Sequence, residues 1–475
     1  MYLILHILIV AAVVARVLLR RHRDPTSRVA WIVVVLALPF LGVLAYVLLG
    51  ETSIGRKRAE RLYKVMSDMP GMDEVPGWSG ATGKVGTDPQ HESLFRVGEH
   101  ISGYAATAGN QARLMASSDA AIESMIADIE SAADHVHLLF YIWLPDNNGS
   151  RMARALIRAA ARGVKCRAMV DDMGSRLLIK STLWTEMESA GVALCRVLKV
   201  GNPLLRIFNG RIDLRNHRKI VVIDNRVTYC GSQNCADPEF LVKKKFAPWV
   251  DVVVRFTGPV VRQNQHLFAS DWMAYANEDI REILLQPLAT VGPGFAAQVI
   301  ASGPTLRHSA MPEIFESLIY AARRRLFITT PYYVPLESLQ AAICAAGNRG
   351  VDTSIIFPAR NDDFAVGATC RSYYEDLLAA GVRVYEYQAG LLHAKTLTVD
   401  DELTLVGSAN MDRRSFDLNY ENNILSCDRE LTLQVLGRQQ EFLADCREVT
   451  AEEVAGWGWS RRLLHNALAI VGPVL

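Results

Sequence analysis

The sequence lacks a Cys-x-x-Cys pair, although it has eight cysteines, at positions 166, 195, 230, 235, 344, 370, 427 and 446. No cluster of cysteines has the spacing of a zinc site. Several cysteines lie in apolar runs that are typical of buried strands or helices. We therefore expect buried free thiols in a reducing compartment, with disulfides as the alternative.

The sequence also lacks an excess of charge of either sign. Its 475 residues include 51 basic and 50 acidic residues, for a formal net charge of +1. A protein dedicated to nucleic acid usually carries a strong basic excess, because phosphate contacts supply much of the affinity. The composition therefore argues against nucleic acid as a partner. The length allows two domains or one large duplicated domain.

Long apolar runs are present at the N-terminus. Residues 3–19 include one His and one Arg, and residues 29–49 are apolar throughout. A helix needs about 20 apolar residues to cross the hydrocarbon core of a bilayer. We therefore predict a transmembrane hairpin over residues 1–50, with helices at about 3–19 and 29–49. A cleaved signal peptide is the alternative for the first run, although an early basic region and a small-x-small cleavage site are missing.

The segments before and after the middle of the chain are less regular. Residues 51–111 are predicted to be a linker and lead-in, and residues 451–475 an amphipathic segment. This C-terminal segment lies in the membrane interface or packs on the middle of the chain or on another subunit, which leaves a homo-oligomer open. Basic residues flank the second apolar run on both sides, so charge does not fix its orientation. The free cysteines favour a cytoplasmic position for the part of the chain that follows the hairpin.

The middle of the chain is duplicated. Strand patterns at 135–143 and 325–334 are each followed by a helix that ends in Arg-Gly and by a second strand. This alternation predicts an α/β fold of two βα halves, residues 112–290 and 291–450, related by a pseudo-twofold axis. The first half has additional apolar residues with scattered Arg at 201–215, either a loop that meets lipid or an ordinary surface insertion.

Each half carries the pattern His-x-Lys-x4-Asp followed by Gly-Ser-x-Asn, and the two copies are 176 residues apart. A His and a Lys two positions apart in an extended chain lie on the same face. Such a pair suits a phosphate group, because Lys supplies positive charge and His can attack phosphorus or transfer a proton. The motif residues are His217, Lys219, Asp224, Ser232 and Asn234 in the first half, and His393, Lys395, Asp400, Ser408 and Asn410 in the second.

Acidic residues accompany each motif. A histidine that carries charge during a reaction needs an acid to fix its tautomer, and Asp251 and Glu421 begin the strands that follow the two motifs. We predict that these two orient the histidines. Asp224 and Asp400 are grouped with the catalytic His and Lys, although their position after a strand suggests that they brace the turn.

The paired motifs resemble the phospholipase D superfamily over roughly residues 110–430. Stretches around residues 25–31, 50–56, 330–335, 390–395 and 408–416 are similar to bacterial cardiolipin synthases. This resemblance implies that phosphatidylglycerol donates a phosphatidyl group to His217 and releases glycerol, after which a second phosphatidylglycerol attacks to give cardiolipin. It also implies His393 as the acid/base, a choice that spacing alone leaves open, and a multi-pass protein of the bacterial inner membrane.

The same resemblance suggests how substrate is held. Lys219, Lys395, Ser232, Asn234, Ser408 and Asn410 would bind phosphate oxygens, and no metal or other cofactor is needed because the lysines provide the charge. Arg413 and Arg414 would hold the second headgroup phosphate, with surface ion pairs as the alternative. The remaining alternatives for function are a membrane-bound phospholipase D that uses water, a membrane-tethered nuclease and a scaffold with an inactive site.

Overall fold

A computed structural model describes residues 2–20, 25–51, 54–82, 89–199, 211, 213–289, 292–304 and 310–471. Most of the additional residues of the first half, at 201–210, therefore lie outside the described residues. The eight cysteines are free; five are buried and three are half-buried.

Three helices form the N-terminal part: α1 Tyr2–Leu19, α2 Pro25–Ala37 and α3 Pro39–Leu49. They pack on one another around a small apolar cluster that includes Trp31, Val35 and Tyr46. The single helix predicted over 29–49 is divided, because Leu38 precedes a proline and takes the non-helical angles φ −125° and ψ 75°. In the described part of the chain, no helix has both the length and the apolar character needed to cross a membrane.

The stretch predicted as a linker and lead-in contains helices of its own. These are α4 Arg56–Asp68, a short 3-10 helix Met72–Glu74, α5 Trp78–Thr82 and α6 Pro89–Ser102. Leu94, Phe95 and Ile101 of α6 are buried in the core of the second half. This stretch is therefore part of the folded body.

The first half contains nine strands and six α-helices among the described residues. Its strands are β1 Thr107–Leu114, β2 His135–Phe140, β3 Lys165–Asp171, β4 Ala193–Val197, β5 Arg215–Asn216, β6 Ile220–Ile223, β7 Val227–Gly231, β8 Trp249–Val250 and β9 Val253–Thr257. Its helices are α7 Ser118–Glu130, α8 Asn147–Ala161, α9 Arg176–Ile179, α10 Thr182–Ser189, α11 Val260–Ala276 and α12 Arg281–Leu284, with a 3-10 helix Leu241–Phe246.

The second half repeats this arrangement. Its strands are β10 Phe295–Ser302, β11 Arg325–Thr329, β12 Tyr333–Val334, β13 Asp352–Pro358, β14 Arg383–Tyr387, β15 Leu391–Leu392, β16 Thr396–Val399, β17 Leu403–Gly407, β18 Met411–Asp412, β19 Asn419–Cys427 and β20 Cys446–Val449. Its helices are α13 Met311–Ala321, α14 Glu337–Asn348, α15 Phe364–Ser372, α16 Tyr374–Ala379, α17 Arg413–Asp417 and α18 Arg429–Leu443, followed by α19 Ala451–Ala455 and α20 Trp459–Val471.

The strand order is the same in both halves. From the centre outwards it is β1, β9, β7, β6, β2, β3, β4 in the first half and β10, β19, β17, β16, β11, β13, β14 in the second, where β20 adds an edge. The inner strands pair antiparallel and the outer βα strands pair parallel in both halves. At the centre, β1 and β10 pair antiparallel. The fold is therefore mixed α/β and duplicated.

The two halves share a core. Cys230 and Val254 of the first half pack with Val406 and Ile424 of the second in one buried apolar cluster. Each half also has its own cluster on the other face of its sheet, beneath its helices. This packing brings the ends of β5 and β15, and hence the two His-Lys motifs, to the boundary between the halves.

Candidate active site

The first motif is held by a strand of the second half. β5 pairs parallel with the start of β19, and the backbone N–H of His217 donates to the Tyr420 carbonyl at 3.0 Å. His217 therefore lies beside Glu421, the next residue of β19. Its Nδ1 is 3.1 and 3.0 Å from the two carboxylate oxygens of Glu421, which is fully buried.

The second motif is held by a strand of the first half in the same way. β15 pairs parallel with β8, and the N–H of His393 donates to the Val250 carbonyl at 2.7 Å. Nδ1 of His393 lies 2.7 Å from Oδ1 of Asp251. The predicted orienting acids thus face the histidines, but each acid comes from the opposite half of the chain.

Ser232 and Ser408, predicted to bind substrate, contact these acids instead. The hydroxyl of Ser232 donates to Asp251 at 2.6 Å and that of Ser408 donates to Glu421 at 2.5 Å. Both serines are fully buried and neither lines the cavity described below. In this structure they fix the carboxylates that face the histidines.

The lysines lie next to the histidines within each motif. Nζ of Lys219 donates to the His217 carbonyl and Nζ of Lys395 to the His393 carbonyl, both at 2.7 Å. Both ammonium groups are buried. Each ammonium retains N–H groups beyond this one bond. Neither lysine is among the residues that line the cavity described below, and Lys395 lines a separate small cavity.

Both histidines line one cavity of about 490 Å³. Asn234 and Asn410 also line it. Oδ1 of Asn234 accepts from the Ile142 N–H at 3.2 Å, which leaves its amide NH₂ directed elsewhere. Oδ1 of Asn410 is buried and has no hydrogen-bond partner among the described residues. This oxygen can accept a hydrogen bond from a hydroxyl group of a ligand, whereas a phosphate oxygen would need the amide NH₂ as donor.

The two adjacent arginines are not equivalent. Arg414 lines the cavity and donates to the backbone carbonyl of Asp213 at 2.7 Å and to its carboxylate at 3.3 Å. Arg413 does not line the cavity. The structure therefore brings Arg414 to the histidines and leaves Arg413 apart from them.

Burial governs the protonation of the site. It lowers the pKa of His217 and of His393 to about 4, against the opposing charges of Glu421 and Asp251. It also lowers the pKa of Lys219 to about 8 and that of Lys395 to about 7. With no ligand bound, both imidazoles are therefore neutral at pH 7.

The acids stay ionised. Burial by itself would raise the pKa of Asp251, but His393, which is protonated only below about pH 4 and also hydrogen-bonds the carboxylate, and the charge of Lys395 outweigh it and lower the pKa to about 2. The pKa of Glu421 is lowered in the same way, by His217 and Lys219. Each neutral imidazole therefore donates its Nδ1–H to a carboxylate, which leaves the Nε2 lone pair for chemistry.

The motif aspartates Asp224 and Asp400 sit at the far ends of β6 and β16, about 20 Å from the histidines along an extended chain. Both have positive φ, 50° and 53°, in tight turns. Each carboxylate accepts three backbone N–H groups, from residues 133–135 and 323–325 respectively. They brace the turns, so their place among the catalytic residues rests on the motif alone.

Some cavity residues are absent from the sequence-based set. The rings of Tyr141 and Trp249 lie 5.1 and 4.6 Å from those of His217 and His393. Asp412 also lines the cavity, and burial raises its pKa to about 6. Its sequence signals are its position two residues after Asn410 and its place in the stretch 408–416 that resembles cardiolipin synthases.

The fold and family of the chain agree with this geometry. A solved phosphatidylserine synthase from Haemophilus influenzae Rd KW20 superposes with a TM-score of 0.58 at 15% identity, covering 80% of this chain and 100% of that chain. The family model "Cardiolipin synthase, PLD-like domain" matches residues 125–272 and 315–442, and "Phospholipase_D-nuclease N-terminal" matches residues 7–51. The fold and the paired motifs thus define a phospholipase D-like protein.

Curated relatives narrow the family further. Cardiolipin synthase A of Erwinia tasmaniensis is 36% identical over 98% of this chain and 96% of its own length. Cardiolipin synthase A of Klebsiella pneumoniae strain 342 is 35% identical over the same shares. The chain belongs to the cardiolipin synthase family.

Proposed function

We propose that this chain is a cardiolipin synthase, which transfers a phosphatidyl group from one phosphatidylglycerol to a second and releases glycerol. The observation that carries the proposal is that both motif histidines line one cavity, each with its Nδ1 on a buried carboxylate. Two imidazoles on one phosphorus atom suit a double displacement, and membership of the family supplies the lipid substrate.

In the first step, the neutral imidazole of His217 attacks phosphorus through Nε2. The P–O bond to glycerol breaks, and His393, in its protonated form, gives its proton to the leaving oxygen. The negative charge of the bound phosphodiester raises the pKa of His393 and so supports the protonated form in the complex. Glu421 stabilises the positive charge that develops on His217.

In the second step, the hydroxyl of another phosphatidylglycerol attacks the phosphohistidine. His393, now neutral, takes the proton of this hydroxyl while the P–N bond to His217 breaks. Lys219 and Lys395 neutralise the phosphate oxygens throughout, and the amides of Asn234 and Asn410 orient them. The cycle returns both histidines to their starting protonation.

Arg414 is the candidate for the second headgroup, since it lines the same cavity as His217. Its guanidinium is already bound to Asp213, so it would meet a phosphate with its remaining N–H groups. If water replaced the second lipid as the acceptor, the product would be phosphatidic acid. The identity of the product therefore tests the acceptor.

We further propose that α1, α2 and α3 attach the enzyme to the bacterial inner membrane. Large apolar side chains on these helices are exposed, among them Ile4, Leu8, Phe40 and Leu41. A bilayer would cover them and would keep the catalytic part near its lipid substrates. The multi-pass arrangement, the cytoplasmic position of the catalytic part and a homo-oligomer remain predictions.

The test is turnover of phosphatidylglycerol, labelled in its terminal glycerol, in vesicles that carry the full chain. We expect cardiolipin and labelled glycerol, whereas phosphatidic acid and labelled glycerol would indicate hydrolysis. His217→Ala and His393→Ala should each lower the rate by about a hundredfold or more, while His100→Ala, at an exposed position of α6, should not. Near-normal turnover by either active-site variant would refute the two-histidine mechanism.

A further inference from the structure

Exposed apolar side chains surround the opening of the cavity. Met173, Leu177 and Val242 line the cavity and are exposed at its edge. Leu241 and Phe364 do not line the cavity but are next in sequence to Val242 and Asp363, which do, and they are 63% and 71% exposed. We call these five residues, together with Arg176, Lys244 and Lys245, the mouth surface.

The charges of the mouth surface are basic. Arg176 lines the cavity, and Lys244 and Lys245 continue the 3-10 helix that carries Leu241. All three side chains are exposed. Arginine and lysine side chains beside exposed apolar ones are the composition that binds the interface of an anionic bilayer.

The acids at the opening are largely engaged. Asp362 accepts from Lys243 and, at 2.7 Å, from the Tyr332 hydroxyl. Asp363 caps α15 by accepting the N–H groups of Ala365 and Val366. Lys243 and Asp362 neutralise each other, and Asp363 keeps its charge, so Arg176, Lys244 and Lys245 outnumber Asp363 at the opening.

We propose that the mouth surface docks on an anionic phospholipid bilayer, so that headgroups enter the cavity while acyl chains stay in the lipid. The proposal rests on the proposed function. The cavity of about 490 Å³ is in the range that holds one small molecule, so two whole diacyl lipids do not fit inside it. A second copy of the chain on the mouth surface would block the cavity, whereas a bilayer there supplies its substrate.

The residues come from both halves. Met173, Arg176 and Leu177 lie at α9, Leu241 and the lysines lie on the 3-10 helix Leu241–Phe246, and Phe364 begins α15. Docking by such a surface orients the opening toward lipid independently of the N-terminal helices. The docking equilibrium should therefore respond to changes at the mouth surface even in the anchored, full-length chain.

The experiment compares two physical forms of one substrate, each turned over by the full-length chain. One form is phosphatidylglycerol in bilayer vesicles, and the other is short-chain phosphatidylglycerol dissolved as monomers. The variants are Lys244→Gln/Lys245→Gln and Leu241→Ser/Phe364→Ser, none of which alters a cavity-lining residue. The matched controls are Lys165→Gln/Arg429→Gln and Leu433→Ser, at exposed positions of β3 and α18.

We expect both mouth-surface variants to lose turnover of bilayer substrate and to keep turnover of monomers. Two lysines at an anionic surface correspond to about thirtyfold in the docking equilibrium, which sets the largest expected fall in the bilayer-to-monomer ratio for the lysine variant. The controls should leave the ratio unchanged. An unchanged bilayer-to-monomer ratio in the mouth-surface variants would overturn the proposal, whether turnover of both substrates is kept or both are lost equally.

A second measurement does not depend on catalysis. A spin label at Phe364→Cys should be accessible to oxygen dissolved in vesicles of phosphatidylglycerol, whereas a label at Leu433→Cys should remain in water. If the unchanged chain made no cardiolipin but the Phe364 label entered the bilayer, the proposed function would fail and the docking would stand. A label that remains in water would refute docking. So would a label that is shielded from both water and oxygen in a chain that mass photometry shows to be a dimer.

Discussion

Replacing Glu421 by Gln removes the carboxylate charge that faces His217 across 3.0 Å in a fully buried setting. The substitution keeps the size of the side chain and one oxygen for the Ser408 hydroxyl. A hydrogen bond to a charged group contributes about 1.5–3 kcal/mol, so the loss corresponds to about 10- to 150-fold in rate. The same reasoning applies to Asp251→Asn beside His393.

Each acid contacts the histidine of the opposite half, so the prediction also states which variants should behave alike. With a phosphatidyl ester of p-nitrophenol, the leaving group departs without a proton, so the acid/base histidine is not needed for the first step. Assays of the p-nitrophenol released in the first turnover therefore separate the nucleophile from the acid/base. With His217 as the nucleophile, His393→Ala should release one p-nitrophenol per molecule, and His217→Ala should release none.

Replacing an acid should affect the same reaction step as replacing the histidine that it contacts. Glu421→Gln should slow the release in the first turnover, as His217→Ala abolishes it, and Asp251→Asn should leave that release nearly unchanged. If His393 is the nucleophile, all four results exchange, but Glu421 still groups with His217. The reasoning is refuted if Glu421→Gln behaves like His393→Ala, because each acid would then serve the histidine of its own half.

Three other changes have definite expectations. Because burial lowers the pKa of Lys395 to about 7, a rise of pH through that value removes its positive charge, and kcat/KM should fall; a flat profile across neutral pH would contradict this. Asp224→Ala should lower the free energy of unfolding, measured in urea, by about 3 kcal/mol, because the carboxylate accepts three backbone N–H groups. The kcat per folded molecule should be unchanged. Arg218→Met should cost about 3–5 kcal/mol in the same urea assay, because it leaves the buried carboxylate of Asp271 without a cation and with only the Asn216 amide as donor. Arg218→Met/Asp271→Leu should recover most of that loss.

The duplication made much of the fold predictable. Two motifs in one register predicted two halves, and the matching strand order follows from the same alternation of strands and helices in each. The strand predicted at 135–143 is shorter in the structure, His135–Phe140. The split at Leu38 depends on one proline within an apolar run, where apolar periodicity alone indicates a continuous helix.

The site was harder to predict because it depends on contacts between the halves. The sequence order of His217 and Asp251 favours a pair within one half, and nothing in either motif indicates that β5 lies along β19. The two arginines are a second case. Successive residues of a helix point about 100° apart, so in α17 Arg414 reaches the cavity and Arg413 does not.

The residue between His and Lys differs between the two motifs, and so do its surroundings. Arg218 points away from the cavity, pairs with Asp271 at 2.7 Å and donates to the Glu421 carbonyl at 3.3 Å. Its counterpart is Ala394, which packs in the apolar core that the halves share. A buried ion pair therefore fixes the backbone at Glu421, while apolar packing supports the other motif. The backbone is duplicated but the surroundings of the two imidazoles are not, so the two histidines can take different parts in one reaction.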